Sequence, residues 1–446
     1  MTPQSHFMVV APLAPGREAG LRALLGTMNT APGVLNPGNA VLRVGEFEQL
    51  HYARLVILDD ATRADIEAHG LPPRLVPHPL PTYLAFIGDC DGPARAFLAD
   101  AAQRAGDGLR RLFAHCADFA VGADVDADAD LLAWMLARDV PAAALYVNWV
   151  GRTVQQVRQE NALARALAAK VPRRPPGSSV DAPIDPQATW RGLVEFANAE
   201  VRAGRLALSP PEVTPLRWHI AKLVHAVGMP LVGLVALPAL MVLLPLLIWQ
   251  LRRRETSDPE ICPRPQAAAL RALQALEDHD VTNQYTAFGA VKPGRFRRWL
   301  LTVLLLATDY ACRHILTRGH LARVQTIHFA CWAFIDAKAR IVFTSNYDGS
   351  HQSYMDDFIN KVAWGLNLLF SNGVGWPRTD WLIHGGARIE QRFKHYQRRH
   401  QLPTQVWYQA NPGLALTDLK RNQRIREGLE RADMNEAQAL AWLKLL

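Results

Sequence analysis

This sequence predicts an α+β fold: two copies of one strand-helix-strand-strand-helix-strand unit, packed sheet on sheet, with a membrane-associated helical segment inserted between them. Three observations predict it. Landmarks recur in the same order. Pro15-Gly16-Arg17 returns as Pro293-Gly294-Arg295, His51 as His328, Asp91-Gly92 as Asp348-Gly349, and Pro141, Tyr146 and Gly151 as Pro403, Tyr408 and Gly413. Local spacing is kept as well: 22 residues separate Asp91 from Phe113 and Asp348 from Phe370, and 10 separate Pro141 from Gly151 and Pro403 from Gly413. Between the copies, the 24 residues from Ala226 to Trp249 contain no charge, enough to cross about 30 Å of hydrocarbon as a helix.

Copy one opens with an apolar strand, Phe7 to Leu13, turned by Pro15-Gly16. Leu21, Leu24 and Leu25 then repeat at helical spacing over Arg17 to Met28. His51 to Leu58 is β-branched and aromatic, hence a strand, and Thr82 to Ile87 is the next. Asp60 to Pro79 is extra in this copy and reads as a loop rich in Pro and charge. Pro93 stands at the first turn of a helix whose stripe runs from Phe97 to Leu112. A shorter helix (Leu131 to Ala137), a strand (Ala142 to Trp149) and a helix (Thr153 to Leu167) finish the copy.

Copy two repeats the order at Tyr285 to Val291, Arg297 to Ile315, Ile327 to Ile335, Ile341 to Ser345, Ser350 to Leu369 and Thr404 to Gln409. That order is the ferredoxin-like split βαβ unit. Its open sheet face needs a partner, so the repeats are expected to close an intramolecular α/β barrel with any ligand cavity between them. The expected divisions are 1–170 (repeat 1), 171–215 (linker with a short helix), 216–254 (transmembrane or re-entrant segment), 255–282 (connector), 283–432 (repeat 2) and 433–446 (C-terminal helix).

Net charge is +8, which suits an anionic membrane surface or nucleic acid. The chain has an apolar segment and no zinc-finger or RNP-like pattern, so membrane lipid is the expected partner and nucleic acid is not. Five scattered cysteines without a C-x-x-C pair argue for reduced thiols. Met1 to Val10 shows no basic region followed by an apolar run, so no signal peptide is expected.

The carrying residues Ser345-Asn346-Tyr347-Asp348-Gly349-Ser350, Tyr354 to Phe358, Lys361 to Gly365 and Val406-Trp407-Tyr408 resemble a group of uncharacterised bacterial membrane-associated proteins. Both copies resemble, at the level of fold, the dimeric α/β-barrel superfamily, which includes EthD-like proteins and dye-decolourising peroxidases. Gly88-Asp89-Cys90-Asp91-Gly92 spells the GxxDG motif of those peroxidases, and Ser345 replaces its first Gly in copy two. This resemblance implies an oxidoreductase, with Asp91 and Asp348 catalytic and a haem held by His51 or His328. The plain alternative is that each Asp caps a helix and each strand His is a hydrogen-bonded structural residue.

The apolar segment has two readings. A simple span puts the repeats on opposite sides of the membrane, where they cannot share a barrel. Gly228, Pro230, Gly233, Pro238 and Pro245 interrupt it, and Arg217 and Lys222 before it mirror Arg252 to Arg254 after it. Basic flanks on both sides suit a hairpin returning to the cytoplasmic face of a bacterial inner membrane. Leu231, Leu240, Leu247, Trp249, Trp299 and Arg252 are the expected membrane contacts.

The reading is a membrane-associated protein that binds, and oxidises or isomerises, an apolar small molecule or lipid between the repeats. Asp348, His328 and Asp91 are its candidate catalytic residues, and Asn346, Tyr347, Tyr408 and Trp407 its candidate substrate contacts. A haem peroxidase and a non-catalytic scaffold are the alternatives. A solid core between the sheets favours the scaffold. Asp124, Asp126, Asp128 and Asp130 read as a solvated loop, since Ala129 and Met135 stand where a calcium loop needs Gly and Glu. The basic run Arg392 to His400 and the pair Asp356-Asp357 read as solvated helix faces.

Overall fold

The computed structural model describes residues 3–72, 75, 80–120, 127–171, 185–210, 213–317 and 321–446. Its first half runs β1 (Gln4–Pro12), α1 (Glu18–Gly26), a small hairpin β2 (Asn29–Ala31) and β3 (Val34–Leu35), β4 (Leu50–Leu58), α2 (Thr62–Ala68), β5 (Tyr83–Asp91), α3 (Ala94–Phe113), α4 (Ala127–Leu136), β6 (Ala144–Val147) and α5 (Val154–Lys170). Then come α6 (Pro186–Arg202), α7 (Leu216–Ser257) and α8 (Ala267–Gln274). The second half runs β7 (Thr282–Ala290), α9 (Arg295–His314), β8 (Ile327–Ile335), β9 (Arg340–Asp348), α10 (His351–Phe370), a small hairpin β10 (Thr379–Asp380) and β11 (His384–Gly385), α11 (Glu390–His400), β12 (Val406–Gln409) and α12 (Leu416–Leu429), with α13 (Glu436–Leu443) at the end.

The molecule is α+β with two antiparallel four-stranded sheets, ordered β1-β5-β4-β12 and β6-β8-β9-β7. Each sheet takes its fourth strand from the other half. The chain leading into β6 first touches its own sheet, where Val140 N donates to Met8 O (2.8 Å), then pairs with β8. The chain leading into β12 does the same: Leu402 N donates to Thr286 O (2.9 Å) before Val406 to Gln409 pair with β4. Strand pairing across the halves therefore ties both edges of each sheet to the other sheet.

Alternation along the strands divides the core. Phe7, Leu55 and Phe86 face α1 and α3 in one core, and Tyr285, Trp332 and Phe343 face α9 and α10 in another. Met8, Val56, Ile87, Phe288, Cys331 and Val342 meet between the sheets. A fourth cluster packs α5, α6, α12 and α13 around Trp190 and Trp442, so the 171–215 stretch includes a docked helix.

The halves also share a defect. Helix α3 breaks its helical backbone at Ala105 (φ −128°) and α10 breaks at Val362 (φ −140°), both 14 residues after Asp91 or Asp348. Gly92 and Gly349 take φ of 75° and 87° just before those helices, a conformation that only Gly adopts freely. Gly88 is needed for packing: a Cβ there would lie 2.5 Å from the Phe7 ring. In the second half Ser345 fills that place and its hydroxyl meets Tyr354 OH at 2.7 Å.

Two expectations need correction. The Asp60 to Pro79 insertion is not simply a loop. It contains α2, where Ile66 packs on Ile261, Ala290 and Val374 and Asp65 pairs with Arg399 (2.7 Å); its residues 73–74 and 76–79 lie outside the described residues. The apolar segment is not a hairpin. It is one continuous 42-residue helix, α7, with Pro230, Pro238 and Pro245 inside it and its apolar window unburied.

Both ends of α7 are fastened to the same body. Near its start, His225 Nδ1 meets His314 Nε2 of α9 at 2.9 Å, and Tyr310 OH donates to Ala226 O (3.1 Å). That carbonyl lost its helical donor because Pro230, four residues on, has no N–H. Near its end, buried Glu255 accepts from Thr379 Oγ1 (3.0 Å), Trp381 N (3.1 Å), Leu382 N (2.7 Å) and Arg252 Nη1 (2.8 Å). Arg254 lies over the Phe296 ring of α9. Residues 231–246 between these anchors are all exposed, and so are Trp299, Val303 and Leu306 on α9.

Candidate functional site

The two histidines that recur in both halves occupy matching positions in the two sheets. In β4 the register slips between Leu50 and Tyr52, and in β8 between Ile327 and Phe329, leaving His51 and His328 as the extra residues of two bulges. A bulge re-aims its side chain along the sheet edge. Each ring thereby meets the carboxylate ending the next strand: His51 Nε2 to Asp91 Oδ1 is 2.9 Å, and His328 Nε2 to Asp348 Oδ1 is 2.6 Å. The second carboxylate oxygens accept from the first amides of α5 and α12, Val154 N (2.9 Å) and Leu416 N (2.7 Å). Asp348 also accepts from Thr282 Oγ1 (3.1 Å). The aspartates thus cap helices, but distant ones rather than the α3 and α10 that follow them in sequence.

The pairs differ at one atom. Tyr52 OH meets His328 Nδ1 at 3.0 Å. With Nε2–H given to Asp348, a neutral ring accepts at Nδ1, so the phenol donates. Burial, with Asp348 and Asp89 nearby, raises the Tyr52 pKa and keeps the phenol neutral. The matching residue in the other half is Phe329, 5.5 Å from the His51 ring and without a hydroxyl. The chain Tyr52-His328-Asp348 is therefore complete at one histidine only.

Deeper between the sheets lies a buried polar network. Asp89 holds His6 Nδ1 (2.8 Å) and accepts from Asn346 Nδ2 (3.3 Å). Arg54 donates to Tyr285 O (2.9 Å), Thr286 Oγ1 (3.0 Å) and Asn346 Oδ1. Burial pushes the Arg54 pKa down to about 10. Burial also opposes charge on His6, but Cys331 and Asp89 beside the ring outweigh it and raise its pKa to about 10. No nitrogen or oxygen meets its Nε2; the Cys331 thiol is the neighbour there.

The structure brings His51, His328, Asp91, Asp348, Asn346 and Trp407 to this polar end of the inter-sheet space; Trp407 Nε1 donates to Asn346 Oδ1 at 3.4 Å. It separates Tyr347 and Tyr408 from them. Neighbours in a strand point to opposite faces, so Tyr347 stacks on Tyr354 (3.8 Å between centroids) under α10, and Tyr408 enters the core under α3. Sequence reasoning missed Tyr52, His6 and Arg54. The Tyr52-to-Phe329 difference, next to a shared histidine, was the available signal for the first.

Free volume beside His51, Tyr52, His328 and Phe329 is about 40 Å³, room for little more than a water molecule. A haem does not fit there: both Nε2 atoms are committed to carboxylates, and pockets for ligands of even modest size need about 300 Å³. Among the described residues no group of His, Cys, Asp and Glu could hold a metal ion. All five cysteines are free.

Of the expected membrane contacts, Leu231, Leu240, Trp249 and Trp299 are exposed, while Leu247 and Arg252 are half-buried. Arg252 pairs with Asp380 (2.5 Å). The basic run on α11 is largely neutralised by ion pairs: Arg392 with Glu260, Lys394 with Asp356, Arg398 with Glu277 and Arg399 with Asp65. Asp357 pairs separately with Lys361. Asp124 and Asp126 lie outside the described residues; Asp128 pairs with Arg110. Comparison with protein-family models, curated proteins and solved structures finds no match to this chain.

Proposed function

We propose that this protein is a membrane-attached scaffold. In this reading two ferredoxin-like repeats close an intramolecular α/β barrel and hold an apolar helix at the surface of a bacterial inner membrane, with the folded part on the cytoplasmic face. The same reading places the chain beside the dimeric α/β-barrel proteins and the membrane-associated group that its second copy resembles. The observation that carries it is α7: an exposed apolar surface fastened at both ends to one folded body.

A helix held in that way keeps both basic flanks on one side, and Lys- and Arg-rich segments are retained in the cytoplasm. Pro238 and Pro245 strip Leu234 and Met241 of their helical donors, and no side chain among the described residues replaces them. Unsatisfied carbonyls cost several kcal/mol in hydrocarbon, so α7 lies shallow, within reach of water and headgroups. The filled space between the sheets favours a scaffold over an enzyme working there. Protease added to one side of sealed vesicles tests the topology. Digestion of both repeats from the same side is expected; digestion from opposite sides would end the proposal.

The asymmetry at the histidines favours a second reading. A phenol, an imidazole and a carboxylate in series can move a proton, and only His328 has all three. An apolar molecule from the bilayer, isomerised by proton transfer at His328, is the activity this supports, provided that α5 and α12 part to admit it. Mass spectrometry of lipid extracts tests it. Loss of a co-purified apolar molecule is expected with His328→Gln but not with His51→Gln, and equal retention would exclude it.

A further inference from the structure

A larger space lies outside the barrel, against α7. It is a cavity of about 510 Å³ between the first turns of α7, the C-terminal end of α9 and the edge where β1 meets the chain entering β6. This is the size range of small-molecule sites. Helix α7 lines it with Trp218, Ala221, Lys222 and His225, the i, i+3, i+4, i+7 face of one helix.

The chemistry of the walls is divided. Leu145, Val147 and Val150 make one side apolar. Lys222 and Arg313 bring positive charge to the other. The lining carboxylate, Asp139, has an oxygen already occupied by Met8 N (2.8 Å), and Asp309 behind Arg313 is bound by its guanidinium (2.7 Å). Lys222 has no carboxylate at ion-pair distance among the described residues; its ammonium lies 5.1 Å over the Trp218 ring.

The floor holds an independent sign of a ligand. His6 lines the cavity and its side chain is only 3% exposed; no nitrogen or oxygen meets its Nε2, and the Cys331 thiol is the only other polar group beside the ring. Its Nδ1 turns toward Asp89 on β5, the neighbour on one side of β1. The other side of the ring faces Cys331 and the cavity. A buried polar atom left unpaired costs about 1–3 kcal/mol, a cost that an acceptor oxygen in the cavity removes. Beyond His225, Val227 and Leu231 continue α7 as an exposed apolar surface.

We infer that this cavity binds the anionic headgroup of an amphiphile, a phosphate-bearing lipid, whose chains run along the exposed apolar face of α7. The inference rests on the membrane reading but fails separately from it. Full-length protein should float with pure phosphatidylcholine vesicles through α7 whether or not any headgroup is preferred.

Detergent-solubilised full-length protein is titrated calorimetrically with short-chain phosphatidylglycerol, short-chain phosphatidylcholine and inorganic phosphate. Phosphatidylglycerol should bind at least about tenfold more tightly than either of the others, as a charge-assisted contact plus chain burial requires. Lys222→Glu, on an exposed residue that leaves the fold intact, should weaken it by about tenfold or more. His6→Gln, checked for folding by circular dichroism, should weaken it too. Equal affinity for the two lipids, binding of phosphate alone as tightly, or an unaffected Lys222→Glu variant would each overturn the inference.

Discussion

Glu255→Ala tests how α7 is held. The Glu255 carboxylate is buried and accepts two backbone amides, a hydroxyl and a guanidinium. The amides belong to Trp381 and Leu382, which sit at φ of 53° and 61°, a left-handed backbone that costs about 1 kcal/mol per residue outside glycine. Hydrogen bonds to a charged acceptor contribute about 1.5–3 kcal/mol each but do not add. Breaking a buried charged network costs about 3–5 kcal/mol. Arg252 is half-exposed and water reaches part of the gap, so the lower figure, about 3 kcal/mol, applies. At 1.4 kcal/mol per factor of ten, local opening becomes about a hundredfold more frequent. Amide hydrogen exchange in detergent reads this directly: the Trp381 and Leu382 amides should lose about a hundredfold of protection, while β8 and β9 keep theirs. Glu255→Gln, which keeps acceptor geometry without charge, should lose about tenfold. Protection unchanged within about threefold in the alanine variant would refute the clamp.

Tyr310→Phe should cost about 1–2 kcal/mol by orphaning Ala226 O, and the cost should largely vanish in a Pro230→Ala background, where residue 230 supplies the missing N–H; a denaturation double-mutant cycle with no coupling would contradict this. Tyr52→Phe should cost about 1–2 kcal/mol by leaving His328 Nδ1 unpaired, whereas Phe329→Tyr should change stability by less than about 1 kcal/mol; urea melts compare the two. His6 has a folded pKa raised from 6.5 to about 10. Its contribution to stability is therefore complete below about pH 6.5 and is lost as pH rises through about 10. Urea midpoints measured from pH 6 to 10 should fall for the native chain and flatten for His6→Gln, with the His6 ring titration by NMR as the direct check.

Much of the fold was legible in the sequence. The periodicity of Phe97 to Leu112 and the β-branched and aromatic run from His51 to Leu58 are local signals, and local signals survive without tertiary context. The recurrence of landmarks was legible too; the helix kinks at Ala105 and Val362 were not, because no residue type announces them. Part of the candidate site was not. Tyr347 and Tyr408 stand beside Asn346 and Trp407 in sequence and on the opposite face of their strands in space, because successive strand residues alternate between faces.

By itself, the sequence determined that the chain is α+β, that its landmarks recur, and that one charge-free segment is too apolar to belong to an ordinary surface. These follow from residue chemistry and spacing alone. The tertiary structure decided which sheet edge β6 and β12 join, which histidine receives the Tyr52 hydroxyl, and where α7 ends. Those outcomes depend on pairing between segments more than a hundred residues apart: Tyr52 with His328, Arg54 with Asn346, Glu255 with the 379–382 turn. Apolar pattern sets how much surface each element must bury. Only the strand register and the hydrogen-bonding partners of buried polar atoms set against what.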